Sequence, residues 1–399
     1  MSKIQLNDDQ ERILNAAVHW FNYESEQVFQ IAGAAGTGKS YLIYQILKKL
    51  HLHYDEYLAM AYTGQASIVM RTRGFAQARS IHSSLYELVE IADHDNISEA
   101  FNLPKKKKIF KLRDSIEDGI KLLFIDEAFM VPKRMVEDIL SFGIKVIVCG
   151  DPNQLPPIGD DPGFLISGKV HTLTQLMRQA EESPIVYIAN RAIHDLPIHC
   201  GMYGNQVLVI TEDDLVPEMF TQFSQCVCCG TNRTREILNS NIRAMYGYKG
   251  QLPTYGERVI CRQNNWDNVV QGIALCNGLC GTVISPADVS KYDGNVFTID
   301  FMPDLINDYF RNLNCNKEYF LSPYSRKQEM KSMDKNWIKG EFFEYAYCLT
   351  THLCQGSEYT TGIYIEEFTR PQLQRALNYT GITRFKQGLI YVKKKNKYF

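Results

Sequence analysis

The sequence predicts an α/β protein made of two parallel-sheet halves, with a smaller β-rich insertion in the second. Three observations carry this. In the first half, apolar runs of strand length alternate with helical stretches, the pattern of a parallel sheet covered by helices on both faces. A glycine-rich loop joins one such strand to a helix. The alternation begins again near Gln225 and resumes near Tyr345, around a stretch of short, turn-punctuated β-like runs. The expected division is 1–200 and 201–399, with an excursion from the first sheet at 85–120 and the insertion at 252–341.

The first half opens its sheet with the buried strand Val28-Phe29-Gln30-Ile31-Ala32. Gly33-Ala34-Ala35-Gly36-Thr37-Gly38-Lys39-Ser40 follows and fits G-x-x-x-x-G-K-[ST] without mismatch. Tyr41 to Leu47 then has helical character. A strand, a glycine loop and a helix N-terminus aim backbone N–H groups and a positive dipole end at an anion. Gly33, Gly36, Thr37 and Gly38 shape the cradle, Lys39 reaches the terminal phosphates of a nucleoside triphosphate, and Ser40 holds Mg2+. Tyr57 to Ala61 reads as the next strand and Gln65 to Met70 as a helix. Lys121 to Ile125 and Ile144 to Cys149 are buried strands. The stretch 85–120 breaks the alternation because it is polar, lysine-rich and interrupted by Pro104.

In the second half, Gln225 to Gly230 reads as a strand and Thr234 to Met245 as a helix. Ala346 to Leu349, Gly362 to Ile365 and Leu389 to Val392 are further strands. Between them, Arg258-Val259-Ile260, Gly281 to Ile284 and Val296 to Ile299 are short runs separated by Gly, Asn, Asp and Pro, as in a small antiparallel sheet. Two similar halves with one phosphate loop place the nucleotide in a cleft whose opening and closing drives motion.

Two further groups carry chemistry. Asp126-Glu127 ends the apolar run Leu122-Leu123-Phe124-Ile125, which suits Asp126 to hold Mg2+ and Glu127 to polarise an attacking water. Gly150-Asp151-Pro152-Asn153-Gln154-Leu155-Pro156-Pro157 ends the next strand and puts Gln154 at the γ-phosphate as a sensor.

Composition narrows the class. The chain has 399 residues, 45% hydrophobic and 22% charged, with no apolar run of membrane-span length and no apolar signal core at its start. A cytoplasmic setting with reduced thiols is the expectation for its 11 cysteines. Cys226, Cys228 and Cys229, and Cys276 with Cys280, lack the partner spacing of a zinc site. Net charge is −2, so any nucleic-acid contact rests on local patches such as Lys105 to Lys108 with Lys111 and Arg113, or Lys393 to Lys395 with Lys397.

Asp126-Glu127-Ala128 and Gly150 to Pro156 resemble motifs II and III of superfamily 1 helicases, and among these the RecD/Dda-like group that moves 5′ to 3′ on single-stranded DNA. The series continues in order. Gln10 resembles the adenine-reading Q motif, Tyr62-Thr63-Gly64-Gln65-Ala66 motif Ia, and Ser80-Ile81-His82 motif Ib. Leu173 to Gln179 is similar to motif IV, which implies a γ-phosphate contact for Arg178. Thr231-Asn232-Arg233 resembles a DNA-contacting element. Thr350 to Glu358 resembles motif V, including Gly356 and Glu358 at the nucleotide. Tyr379 to Arg384 resembles motif VI, with Arg384 as the arginine finger.

The resemblance spans Gln10 to Arg384 and implies two RecA-like motor domains with a helical or wedge excursion in the first and an SH3-like insertion in the second. It implies a Mg-ATP-driven DNA helicase acting on single-stranded DNA and duplex junctions, with replication or recombination proteins as partners. DNA contacts fall to Thr63, His82, Asn232, Thr350 and His352. Phe101, Leu103 and Phe110 would supply a wedge tip, and Trp266 and Trp337 are stacking candidates that core packing also explains. Phe129 and Leu353 depart from the family pattern, and the compact form suggests a stand-alone phage or mobile-element enzyme, in a host cytoplasm if phage-encoded. An RNA helicase, a translocase or nucleotide-gated clamp that unwinds nothing, and a P-loop kinase are the competing readings.

Overall fold

The computed structural model describes residues 5–98, 103–165, 168–289, 294–333, 339–368 and 370–394. Its first sheet has the strand order Arg79–Ser80, Tyr57–Ala61, Leu122–Asp126, Lys145–Gly150, Val28–Gly33 and Val170–Leu173, every pairing parallel. Leu122–Asp126 is buried along its whole length, as a central strand covered on both faces must be. The helix Asp8–Tyr23 packs on one face through Ile13, Ala17 and Trp20, which share one stripe of the helix and meet Phe29, Ile31, Leu42 and Ile46. Asn7 caps this helix reciprocally with Gln10. Parallel crossovers leave Gly33, Ala61, Asp126, Gly150 and Leu173 along one edge of the sheet.

The second sheet runs Cys348–Thr350, Cys226–Cys229, Tyr359–Ile365, Phe385–Lys393, Val207–Thr211 and Gly201–Tyr203, with only the last strand antiparallel. The helix after Cys226–Cys229 starts at Asn232, two residues earlier than its periodicity suggests, because Thr231 caps it by accepting from the Thr234 N–H. A third, antiparallel sheet holds Asp288–Val289, Val296–Pro303, Cys280–Val283, Arg258–Cys261 and Phe343–Tyr345, with Phe310–Asn316 also on Val296–Pro303. Phe297, Phe301 and Phe343 fill its interior, and Ile68 from the first half joins that cluster.

The excursion is a β-ribbon, with helix confined to Ile81–Leu85 just before it. Tyr86–Ser98 pairs antiparallel with Leu103–Leu112. The register sets Glu87 opposite Lys111, Glu90 opposite Lys108 and Asp93 opposite Lys105. Of these, Lys111 Nζ lies 3.8 Å from the Glu87 carboxylate, a cross-strand pair of the kind that supports a ribbon.

All eleven cysteines are free; ten are buried and Cys200 is exposed. Among the described residues, no group of His, Cys, Asp and Glu is placed to hold a metal ion, and no helix is long and apolar enough to cross a membrane.

Candidate functional site

The glycine loop turns sharply into the helix Lys39–Lys49. Gly38 has φ 78°, and a Cβ there would lie 2.6 Å from Gln10 Nε2, so glycine is required for both backbone and space. Lys39 Nζ donates to the carbonyls of Gly33 (2.7 Å) and Ala34 (3.1 Å). Gln10 is fully buried, and its Nε2 donates to Thr37 O at 3.1 Å and lies 3.2 Å from Met177 Sδ. Asp9 accepts from the Thr174 hydroxyl at 2.5 Å and the Thr174 N–H at 2.9 Å; the hydroxyl bond is the main reason its pKa falls to about 2. The segments at 10 and 174–177 thus close around the loop.

Asp126 ends its strand buried, accepting from the Glu127 N–H at 2.9 Å and the Cys149 thiol at 3.1 Å. Glu127 takes a left-handed backbone, φ 51°. Burial raises its pKa, with Arg384 opposing and Asp126 adding. Gln154 is buried nearby in sequence, its Oε1 without a hydrogen-bond partner.

Arg73 was not foreseen from the sequence. Its guanidinium donates to Ser40 Oγ at 2.9 Å and to Asp126 Oδ2 at 3.5 Å, and it pairs with Glu358 from the second half. Burial opposes its charge, but Glu358, Asp126 and Glu127 outweigh it and hold its pKa above the ordinary value. Its partners lie at 40, 126 and 358, so no local spacing announces it.

The second half closes on the same edge. The Tyr379 hydroxyl donates to Asp151 Oδ2 at 2.5 Å and accepts from the Ala35 N–H at 2.8 Å. Thr380 Oγ1 accepts from the Leu155 N–H at 3.0 Å, and Gln355 Nε2 donates to Leu155 O at 2.8 Å. Arg384 is buried, with Nε on Thr380 O at 3.0 Å and Nη1 on Ser357 O at 3.4 Å. Glu358 also pairs with Lys386 at 2.6 Å. These cations, Arg73 ahead of Lys386, outweigh burial and lower its pKa. Gly356, at φ 75°, lies against the first half; a Cβ there would sit 2.7 Å from Ala66 Cβ and 3.1 Å from Thr63 Oγ1.

The remaining expected residues fall into two sets. Thr63 caps the helix Gly64–Thr72 by accepting from the Ala66 N–H at 3.1 Å, and His82 stands at the neighbouring strand end. Thr350 and Cys229 are register partners in the second sheet, so the helices Thr351–Cys354, with His352, and Asn232–Met245 start from neighbouring strand ends. Thr350 is buried, while burial lowers the pKa of the half-buried His352. Desolvation likewise lowers that of His82. The side chain of Arg178 lies outside the described residues; its backbone opens the helix Arg178–Glu181. Phe101 and Trp337, and the side chains of Leu103 and Lys105 to Lys108, are also outside them.

Rings connect the ribbon to both neighbours. His82 lies 6.2 Å from Tyr62 and 5.8 Å from Phe110, and Phe110 meets Trp266 edge-on at 5.9 Å. His82, Phe110 and Trp266, with Arg71, Arg79 and Arg113, border a cavity of about 450 Å3. Trp266 Nε1 has no hydrogen-bond partner there.

Comparison with known proteins fits this architecture. Residues 5–197 match the family model of an AAA domain. The RecD2 DNA helicase of Deinococcus radiodurans is 25% identical over 294 residues, 66% of this chain and 35% of that protein. The PIF1 helicase of Xenopus laevis is 30% identical over 45% of this chain and 29% of its own length. The chain therefore spans about a third of the length of these relatives. Among solved structures, a Bacteroides Pif1 bound to single-stranded DNA has a TM-score of 0.56 at 16% identity, covering 99% of this chain and 94% of that one. Pif1 from Candida albicans gives 0.50 at 17% identity, covering 98% and 95%.

Proposed function

Because this chain belongs to the RecD/Pif1-like group of superfamily 1 helicases, we propose that it is an ATP-dependent DNA helicase that moves 5′ to 3′ on single-stranded DNA and parts duplex ahead of it. The observation that carries the reading is the closure of one cleft by groups from both halves. Ala35 and Asp151 from the first meet Tyr379 from the second, and Arg73, which also bonds Ser40 and Asp126, meets Glu358. A nucleotide bound at the glycine loop touches both walls, so its hydrolysis changes their relative position.

In this reading the two parallel sheets are the cores of the two motor domains, and the boundary falls before the helix Pro184–Ile193 and not at 200, because Ile185, Ile188 and Ala189 pack in the second core. Lys39 holds the terminal phosphates and Gln10 the adenine side. Glu127 takes a proton from the attacking water, Gln154 relays the state of the γ-phosphate, and Arg178 and Arg384 stabilise the charge that develops on it. Mg2+ fits the donor set, because Ser40 Oγ and the Asp126 carboxylate converge on one cation, the Arg73 guanidinium. Bound there, Mg2+ would neutralise phosphate charge. Thr63, His82, Asn232, Thr350 and His352 hold the strand by its backbone, which positions without reading sequence. Phe110 and Trp266 offer ring faces where strands part.

The test is strand separation with Mg-ATP on partial duplexes bearing a 5′ or a 3′ tail. Separation of the 5′-tailed substrate alone is expected. Separation of only the 3′-tailed one would reverse the polarity. DNA-stimulated ATPase with neither separated would leave a translocase or clamp, and stimulation by RNA alone would change the substrate.

A further inference from the structure

We propose that Arg73 is a resident cation of the nucleotide site. It holds Ser40 and Asp126 in place and is displaced towards Glu358 when magnesium and nucleotide arrive. This rests on the nucleotide-site reading above, but it concerns a residue outside every motif that supports that reading.

The geometry is specific. One guanidinium spans Ser40 Oγ, the Asp126 carboxylate and Glu358. The first two are the oxygens suited to a hard divalent cation, and the third belongs to the opposite wall of the cleft. Asp126 and Glu127 sit side by side at a buried strand end, where neighbouring carboxylates repel unless a cation offsets their charge. Arg73 is that cation: its Nη1 lies 3.5 Å from Asp126 Oδ2. It stands just past the end of the helix Gly64–Thr72, whose other end carries Thr63 and Gly64 against Gly356 and Cys276. An arginine placed there follows the helix if the cleft moves.

Two consequences separate this role from an ordinary surface ion pair. A divalent cation must displace Arg73 from Ser40 and Asp126, so the residue competes with the metal. The fork that leaves those oxygens still has Glu358, so arrival of the metal exchanges partners and does not strand a charge in the cleft. Arg73 therefore ties metal occupancy to a contact between the halves.

The experiment measures Mn2+ binding to the nucleotide-free full chain by electron paramagnetic resonance. It compares the wild type, Arg73→Gln, Arg73→Lys and Glu358→Gln, each checked for folding by circular dichroism. Arg73→Gln is expected to bind Mn2+ more tightly by on the order of tenfold, about the weight of one charge-assisted hydrogen bond. Glu358→Gln should shift it the opposite way, because Arg73 then has nowhere else to go. Arg73→Lys should lie near the wild type. Opposite signs in two folded variants are not produced by a loosened structure. Equal affinity in all four, or weaker binding in Arg73→Gln, would overturn the proposal. A fluorescent ADP analogue, measured in the same samples with Mg2+ and with EDTA, tests the underlying reading. A wild type that binds neither analogue nor Mn2+ would overturn the nucleotide site itself, and this proposal with it. A wild type that binds both with no Arg73 effect would overturn this proposal alone.

Discussion

At the scale of single residues, the site divides by how far apart its members lie in the chain. The glycine loop and Asp126-Glu127 are legible because the chemistry needs neighbours at fixed spacing, and spacing is what a sequence displays. Arg73 and the Tyr379 hydroxyl are different. Tyr379 joins Ala35 to Asp151, and Arg73 joins Ser40, Asp126 and Glu358. Such contacts exist only after two sheets have closed on each other. Trp266 was legible as an aromatic in the insertion, but its ring partner Phe110 comes from the ribbon. Arg384 gives the prediction at this scale. It is buried and anchored to Thr380 and Ser357, and it acts on Glu127 electrostatically. Arg384→Ala should retain binding of a fluorescent ADP analogue while DNA-stimulated turnover falls by about 10³-fold or more, the weight of an arginine finger. Wild-type turnover in that variant would remove the assigned role.

At the scale of elements, strands covered on both faces were easy to read, since continuous apolar runs have few other uses. The ribbon was harder. Its Pro104 and lysines look like loop until the acids at 87, 90 and 93 are set against the lysines at 111, 108 and 105 by antiparallel register. A pattern that needs two segments to be laid side by side is invisible along one. The helix Tyr324–Ser332 offers a pH test. Lys331 on this helix is pulled down to about 8 from 10.5, first by burial and then by Arg262. Between those two values the unfolded chain holds a proton that the folded one has released. Stability should therefore rise with pH across that window. Urea midpoints measured from pH 8 to pH 10.5 should show this rise in the wild type. Lys331→Met should show less of it.

At the scale of the whole molecule, the halves share apolar core as well as polar contacts: Ile185, Ile188 and Ala189 of the helix Pro184–Ile193 pack with Val209, Tyr364 and Tyr391 of the second sheet. Ile68 packs in the core of the insertion, Arg71 donates to the carbonyls of Gln271 and Gly272, and Gly356 lies against Ala66. Gly356→Ala would force a left-handed backbone on a β-carbon and press it into Ala66, a strain of about 1–2 kcal/mol from the backbone alone. The expected result is ADP-analogue binding close to wild type with most DNA stimulation of turnover lost; full stimulation would show that this contact is dispensable. The cysteines lead to a practical end. Ten thiols are buried and Cys200 is exposed just ahead of the strand Gly201–Tyr203, where the chain enters the second sheet. A maleimide dye would therefore attach chiefly at one place, beside the edge strand of the second sheet. The protein carries its own attachment point for a fluorophore there, and motion of the second sheet could be followed without first stripping out any cysteine.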